Sequence, residues 1–165
     1  MAPVRHPMRC PWKKNHQNPH SRAARDVQNI AIVGGSFKKP MELAMVPLNQ
    51  LEKGTPEVVK VSTKYEVRSL YLSQPEMIEF PTGREGESAW MVYYPPQNSK
   101  FAAPDGSLPP LLVKSHGGPT ASTSTNFNLG IQYWTSRGYA VADVDYSGSS
   151  GYGRAYRQVT GYIRK

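Results

Sequence analysis

Two glycine-rich turns hold the side chains and backbone groups best suited to chemistry. The first, His116-Gly117-Gly118-Pro119, follows the apolar run Leu111, Leu112, Val113. Backbone without Cβ atoms at 117 and 118 can turn tightly and leave its N–H groups unpaired. Such groups suit an oxyanion that develops during acyl transfer. A tight structural turn with a solvent-facing His116 is the competing reading of the same residues. The second turn runs from Ser147 to Gly153 (SGSSGYG) and invites a nucleophile reading of Ser149. The pattern G-x-S-x-G requires glycine two residues before the serine, where Ser147 stands instead. No acid and no histidine follows Ser149, so a triad running Ser, acid, His along the chain cannot follow it.

A third constellation lies near the start, where His6, Cys10, His16 and His20 supply the ligand types that tetrahedral Zn²⁺ prefers. The CxxC half of a zinc fold and its packing hydrophobes are missing. Pro7, Pro11 and Pro19 break up any regular structure that would hold the geometry, and no cofactor or metal is expected. Cys10 is the single cysteine, which excludes a disulfide scaffold and fits a reducing, intracellular setting such as cytoplasm or plastid.

The two turns need elements to position them. Tyr139 to Tyr146 (YAVADVDY) reads as a strand ending at the second turn, and Leu111 to Val113 as a buried strand ending at the first. Between them Asn126 is a plausible N-cap for a helix through Phe127, Leu129, Ile131, Tyr133 and Trp134, stopped at Gly138. Strand, helix, strand predicts a parallel pair and an α/β architecture. A further helix is expected over 154–160. Upstream, Met77 to Phe80 and Ala89 to Tyr94 read as a hairpin around Gly83 to Gly86, followed by a Pro-rich loop over 95–110. Further upstream still, Ile30 to Val33, Leu43 to Val46 and Val58 to Val61 predict three short strands of an antiparallel sheet, as in a sandwich or a propeller blade.

Length and composition bound these readings. The 165 residues suffice for one ordinary domain, yet only 38% are apolar, and 15 Pro and 14 Gly demand many loops. No stretch reaches the roughly 18 to 20 apolar residues of a membrane span, so no membrane partner is expected. The net charge is +8, of which +5 lies in residues 1–28. That Pro-rich arm has no sustained hydrophobic period and is expected to be disordered. It reads first as a solvated basic extension, with a polyanion-binding tail or a transit peptide as alternatives. Nucleic acid is not the favoured partner.

HGGP, the helix ending QYWTSRGYAV, the strand DVDY and the loop GSSGYGRAYR occur in this order over residues 74 to 160. The set resembles the start of the catalytic domain of prolyl oligopeptidase family serine peptidases, most closely plant dipeptidyl aminopeptidase or acylaminoacyl peptidase-like members. HGGG-type turns serve as oxyanion holes in α/β-hydrolases. Asn29 to Leu72 looks more loosely like the last blade of the β-propeller that precedes that domain. The resemblance implies a basic arm over 1–28, a blade remnant over 29–72, and the N-terminal part of an α/β-hydrolase domain over 73–165. It implies a serine-type peptidase that cleaves short peptides or acylated N-termini through an acyl-enzyme, with a homo-oligomer allowed in the complete protein. Gly118 would supply an oxyanion-hole N–H, His116, Gly117 and Pro119 would shape the turn, and Ser149, Ser150, Gly151, Tyr152 and Gly153 would lie near the site. Ser147 departs from the arginine that many members carry there. Nucleophile, Asp and His of the family pattern would come after Lys165, so the chain is expected to be a truncated fragment, inactive alone. The alternative is a non-catalytic interaction protein binding a partner subunit or a polyanion.

Overall fold

A computed structural model describes residues 28–51, 55–118 and 121–158, together with the backbone of Arg5 and His6. The chain divides into two compact units. Pro119 and the arm residues Cys10, His16 and His20, with the side chain of His6, lie outside the described residues.

The smaller unit, within 10–67 plus 126–128, is built on an antiparallel sheet of β2 (Asn29–Gly34), β3 (Glu42–Pro47) and β4 (Glu57–Val61). All three strands fall where the runs of β-branched and aliphatic residues place them. Ala44 and Val46 are buried, whereas every residue of β4 is exposed. Gly35 sits at a close approach, where a Cβ would lie 3.0 Å from Met41 Sδ and 3.2 Å from Met41 backbone, so a larger residue would push Met41 aside. The Phe127 N–H donates to the Ser36 carbonyl at 2.8 Å. This contact holds Asn126 to Asn128 in the smaller unit, and the helix begins only at Leu129 rather than being capped at Asn126.

The larger unit is a five-stranded mixed sheet in the order β1-β5-β6-β8-β7. The strands are β1 (Arg5–His6), β5 (Glu76–Pro81), β6 (Ser88–Tyr94), β7 (Leu111–Ser115) and β8 (Ala140–Asp145). Its β1, from the basic arm, is a two-residue strand against Met77 and Ile78. The expected hairpin is β5–β6, with Pro81 opposite Ser88. Strands β7 and β8 are parallel, as the strand–helix–strand pattern predicts, and α1 (Leu129–Thr135) lies between them in sequence. Register is marked by chemistry as well as backbone: Lys114 lies opposite Asp143, and its Nζ sits 2.8 Å from Asp143 Oδ2. The core gathers Val92, Tyr94, Ile131 and Val141, with Met77 and Leu112 against it.

Two burial expectations change. Leu111 and Val113 are 53% and 66% exposed rather than buried. Strand β7 ends the sheet, so a run that reads as interior lies at an edge, where one neighbour rather than two covers it. On α1 only Ile131 of the expected apolar set is buried, joined by Gln132 and Thr135. The Gln132 side chain repays its burial by accepting from the Ser73 N–H at 2.8 Å and donating to the Ser73 carbonyl at 3.3 Å.

Candidate functional site

Because β7 and β8 are parallel, with Ser115 opposite Val144, both glycine-rich turns leave the sheet at the same end. This carboxyl end is where open α/β sheets bind ligands.

The first turn is open. Gly117 and Gly118 are exposed, and a Cβ built on either meets nothing within 4 Å. Gly118 has φ +77°, a left-handed conformation that costs a residue with a Cβ roughly 1–2 kcal/mol. Conformation rather than crowding therefore requires glycine at 118; nothing in the structure explains Gly117. No described residue accepts a hydrogen bond from the Gly118 N–H. Tyr146, the first residue after β8, braces the turn. Its ring stacks on His116 with centroids 4.5 Å apart, and its hydroxyl donates to the Gly118 carbonyl at 2.5 Å.

The second turn is closed. Ser149 is fully buried, and its hydroxyl donates to the Tyr146 carbonyl at 2.7 Å. The Ser150 N–H is bound to the Ala121 carbonyl at 2.9 Å and the Gly148 N–H to that of Tyr156 at 3.0 Å. Gly148, Gly151 and Gly153 all take positive φ, which gives the loop its winding path before α2 (Gly153–Gln158).

Serine, histidine and aspartate do meet here, through residues that precede Ser149. His116 Nε2 lies 2.6 Å from Ser149 Oγ and 3.5 Å from Asp145 Oδ1. A search for acid and base after the serine in sequence could not find them. The arrangement is not that of a catalytic triad, in which the carboxylate holds one ring nitrogen while the other faces the serine. Here both partners use Nε2, and Nδ1 is buried without a partner. The hydroxyl has one proton to give, and the Tyr146 carbonyl, which can only accept, takes it. Nε2 therefore carries the ring proton and donates to Oγ, which is the reverse of activating a nucleophile.

Asp145 is the hub of this cluster and was not singled out by the sequence. Only 2% exposed, its carboxylate accepts from the Thr123 N–H at 2.7 Å, the Thr123 hydroxyl at 3.0 Å and the Tyr152 hydroxyl at 2.6 Å. A buried carboxylate is tolerable only with such a set of donors. Burial, then the hydrogen bond to Asp145 and its negative charge, push the Tyr152 phenol well above its ordinary value, so it remains a donor. Tyr152 also stacks on Trp90 with centroids 5.6 Å apart. Tyr156 donates to the Asp145 carbonyl at 2.6 Å. Among the described residues no cluster of three or more His, Cys, Asp or Glu could hold a metal ion. No helix of the described residues is long and apolar enough to cross a membrane.

A mixed sheet carrying an HGG turn after β7 and a glycine-rich loop after β8 is part of an α/β-hydrolase domain. The model of the prolyl oligopeptidase family matches residues 125–162. An uncharacterized peptidase of Bacillus subtilis, YuxL, is 30% identical over 121 residues, which are 72% of this chain and 17% of that protein. A puromycin-hydrolyzing peptidase of Mycobacterium tuberculosis superposes with a TM-score of 0.72 at 37% identity, over 80% of this chain and 20% of its own. The acylaminoacyl peptidase of Pyrococcus horikoshii shares the fold at 19% identity, with a TM-score of 0.54 over 79% of this chain and 19% of its own. The chain belongs to the prolyl oligopeptidase family, and it spans about a fifth of the length of these relatives.

Proposed function

We propose that this chain supplies the oxyanion-stabilising turn of a serine peptidase that acts on short peptides or acylated N-termini. The observation that carries this reading is the Gly118 N–H: exposed, without an acceptor among the described residues, and set by a left-handed φ at the carboxyl end of a parallel strand pair. A pre-aimed backbone donor of this kind contributes most when charge develops on a carbonyl oxygen. His116, Gly117 and Pro119 shape the turn, and Ser149 to Gly153 support it from behind. Residues 29–72 are the remnant of a propeller blade in this reading, and residues 1–28 a basic extension. Nucleophile, acid and base come from sequence beyond these 165 residues, as the chain's share of its relatives' length allows. The 165 residues alone turn over no peptide, because Ser149 is buried and its proton is committed to a backbone carbonyl.

An antibody against residues 110–150 tests the first half of this reading. It should detect a product in source tissue several times larger than 18.4 kDa, and that product should react with a fluorophosphonate probe. The isolated chain should neither react with the probe nor release p-nitroaniline from acyl-peptide anilides. Labelling of the isolated chain that disappears in Ser149→Ala would overturn the inactivity proposal and restore Ser149 as nucleophile.

A further inference from the structure

The geometry points to Tyr146 as the positioning residue that sets the direction of the Gly118 N–H, an inference that rests on the oxyanion reading of that turn. The Gly118 N–H belongs to the peptide between Gly117 and Gly118. That peptide has no internal brake: neither residue carries a side chain, both are exposed, and a Cβ placed on either would meet nothing within 4 Å. Left alone, such a unit can rotate about its flanking bonds at little cost, and a donor that rotates is a poor electrostatic stabiliser.

Tyr146 grips the turn on both sides of this peptide. Its ring lies against the His116 ring, tilted by 28°, which fixes the residue before the glycines. Its hydroxyl donates to the Gly118 carbonyl and lies 3.5 Å from the His116 carbonyl. Residues one step before and one step after the donor peptide are thus tied to one side chain. Tyr146 is itself anchored, since its carbonyl accepts both the N–H (3.0 Å) and the hydroxyl (2.7 Å) of Ser149. It also follows Asp145 directly, whose carboxylate is held by Thr123 and Tyr152. Rigidity therefore passes from the buried cluster through Tyr146 to the exposed donor.

Tyr146→Phe keeps the ring and removes only the hydroxyl. In the 165-residue chain, ¹⁵N relaxation should show the Gly118 order parameter falling from about 0.85 to below about 0.6, while Ala142 in β8 is unchanged. In the larger peptidase, kcat should fall about tenfold with KM within about twofold, less than the 10²–10³ that deleting an oxyanion donor costs. An unchanged Gly118 order parameter, an equal loss at Ala142, or an unchanged kcat in an active peptidase would overturn the inference. If the variant does not fold, the wild-type chain decides. A Tyr146 hydroxyl proton slow enough to observe, with a cross-peak to Gly118, supports the brace, and its absence overturns it. A larger product that fails to react with fluorophosphonate sinks the peptidase reading alone, and the Gly118 order parameter still rules on Tyr146.

Discussion

The two glycine-rich turns leave the same end of the sheet from neighbouring strands, yet they are opposites. At Gly117-Gly118 the backbone is exposed and the Gly118 N–H has no acceptor among the described residues. At Ser147 to Gly153 the most reactive-looking side chain is buried, and the polar groups are bound to Tyr146, Ala121, Tyr156, Asp145 and His116. The residue with the more familiar catalytic chemistry is held as a bolt, and the residue with no side chain is the one that presents an exposed N–H. Residue type alone does not separate them; the state of the proton and access to solvent do.

Breaking the closed turn should show first in stability. Asp145→Ala leaves the Tyr152 and Thr123 hydroxyls and the Thr123 N–H without their acceptor. Urea denaturation should show a loss of about 3 kcal/mol or more, since each orphaned buried donor costs roughly 1–3 kcal/mol. Gly118→Ala acts on the open turn and should cost about 1–2 kcal/mol, the price of a Cβ at this φ. In the larger peptidase the same change should lower kcat by more than its effect on stability accounts for. Ser149→Ala should cost about 1 kcal/mol through the lost hydroxyl. Fluorophosphonate labelling of the larger product should survive it, which separates bolt from nucleophile directly.

Tyr152→Phe sharpens the contrast through pH. A phenol raised in the folded state keeps its proton there while the unfolded chain releases it from about the ordinary 10.0 upward. Folding stability from this group is therefore fully present below pH 10 and declines as pH rises above it. Tyr94, raised by burial and by Asp143, acts in the same direction. The variant should flatten, without abolishing, the alkaline fall in stability followed by circular dichroism. Gly117→Ala should do least, within about 0.5 kcal/mol, because neither φ nor crowding requires glycine there. A large loss of stability at 117 would mean that the open turn is packed after all.

Much of this arrangement is legible in the sequence. The hairpin β5–β6, the three strands of the smaller sheet and β8 fall where hydrophobic period and turn residues put them. So do the two turns at one sheet end, because a strand–helix–strand pattern forces parallel strands. What escaped depends on long-range placement. An apolar run such as Leu111 to Val113 reads alike at the centre or the edge of a sheet. The helix start moved to Leu129 because Phe127 spends its N–H on Ser36, ninety-one residues earlier in the chain. Gln132 gave no sign of burial, since its partner is the backbone of Ser73. His116 was missed as the partner of Ser149, and Asp145 as a neighbour of His116, because triad order directs the search forward along the chain. Asp145 could have been found as the acid at the end of an otherwise apolar strand that already carries Asp143, a place where a second charge needs a reason.

The salt bridge between Lys114 and Asp143 has a consequence for how the protein behaves in concentrated solution. Edge strands commonly keep neighbours away with a lysine that stands out into water. The only lysine of β7 is half exposed and is paired with Asp143 at 2.8 Å. The strand's one charge is therefore partly neutralised. Leu111 and Val113 are exposed on a strand that ends the sheet among the described residues. A charge added at this edge, as in Val113→Asp, should lower strand-on-strand aggregation of the isolated chain, read by light scattering of concentrated samples.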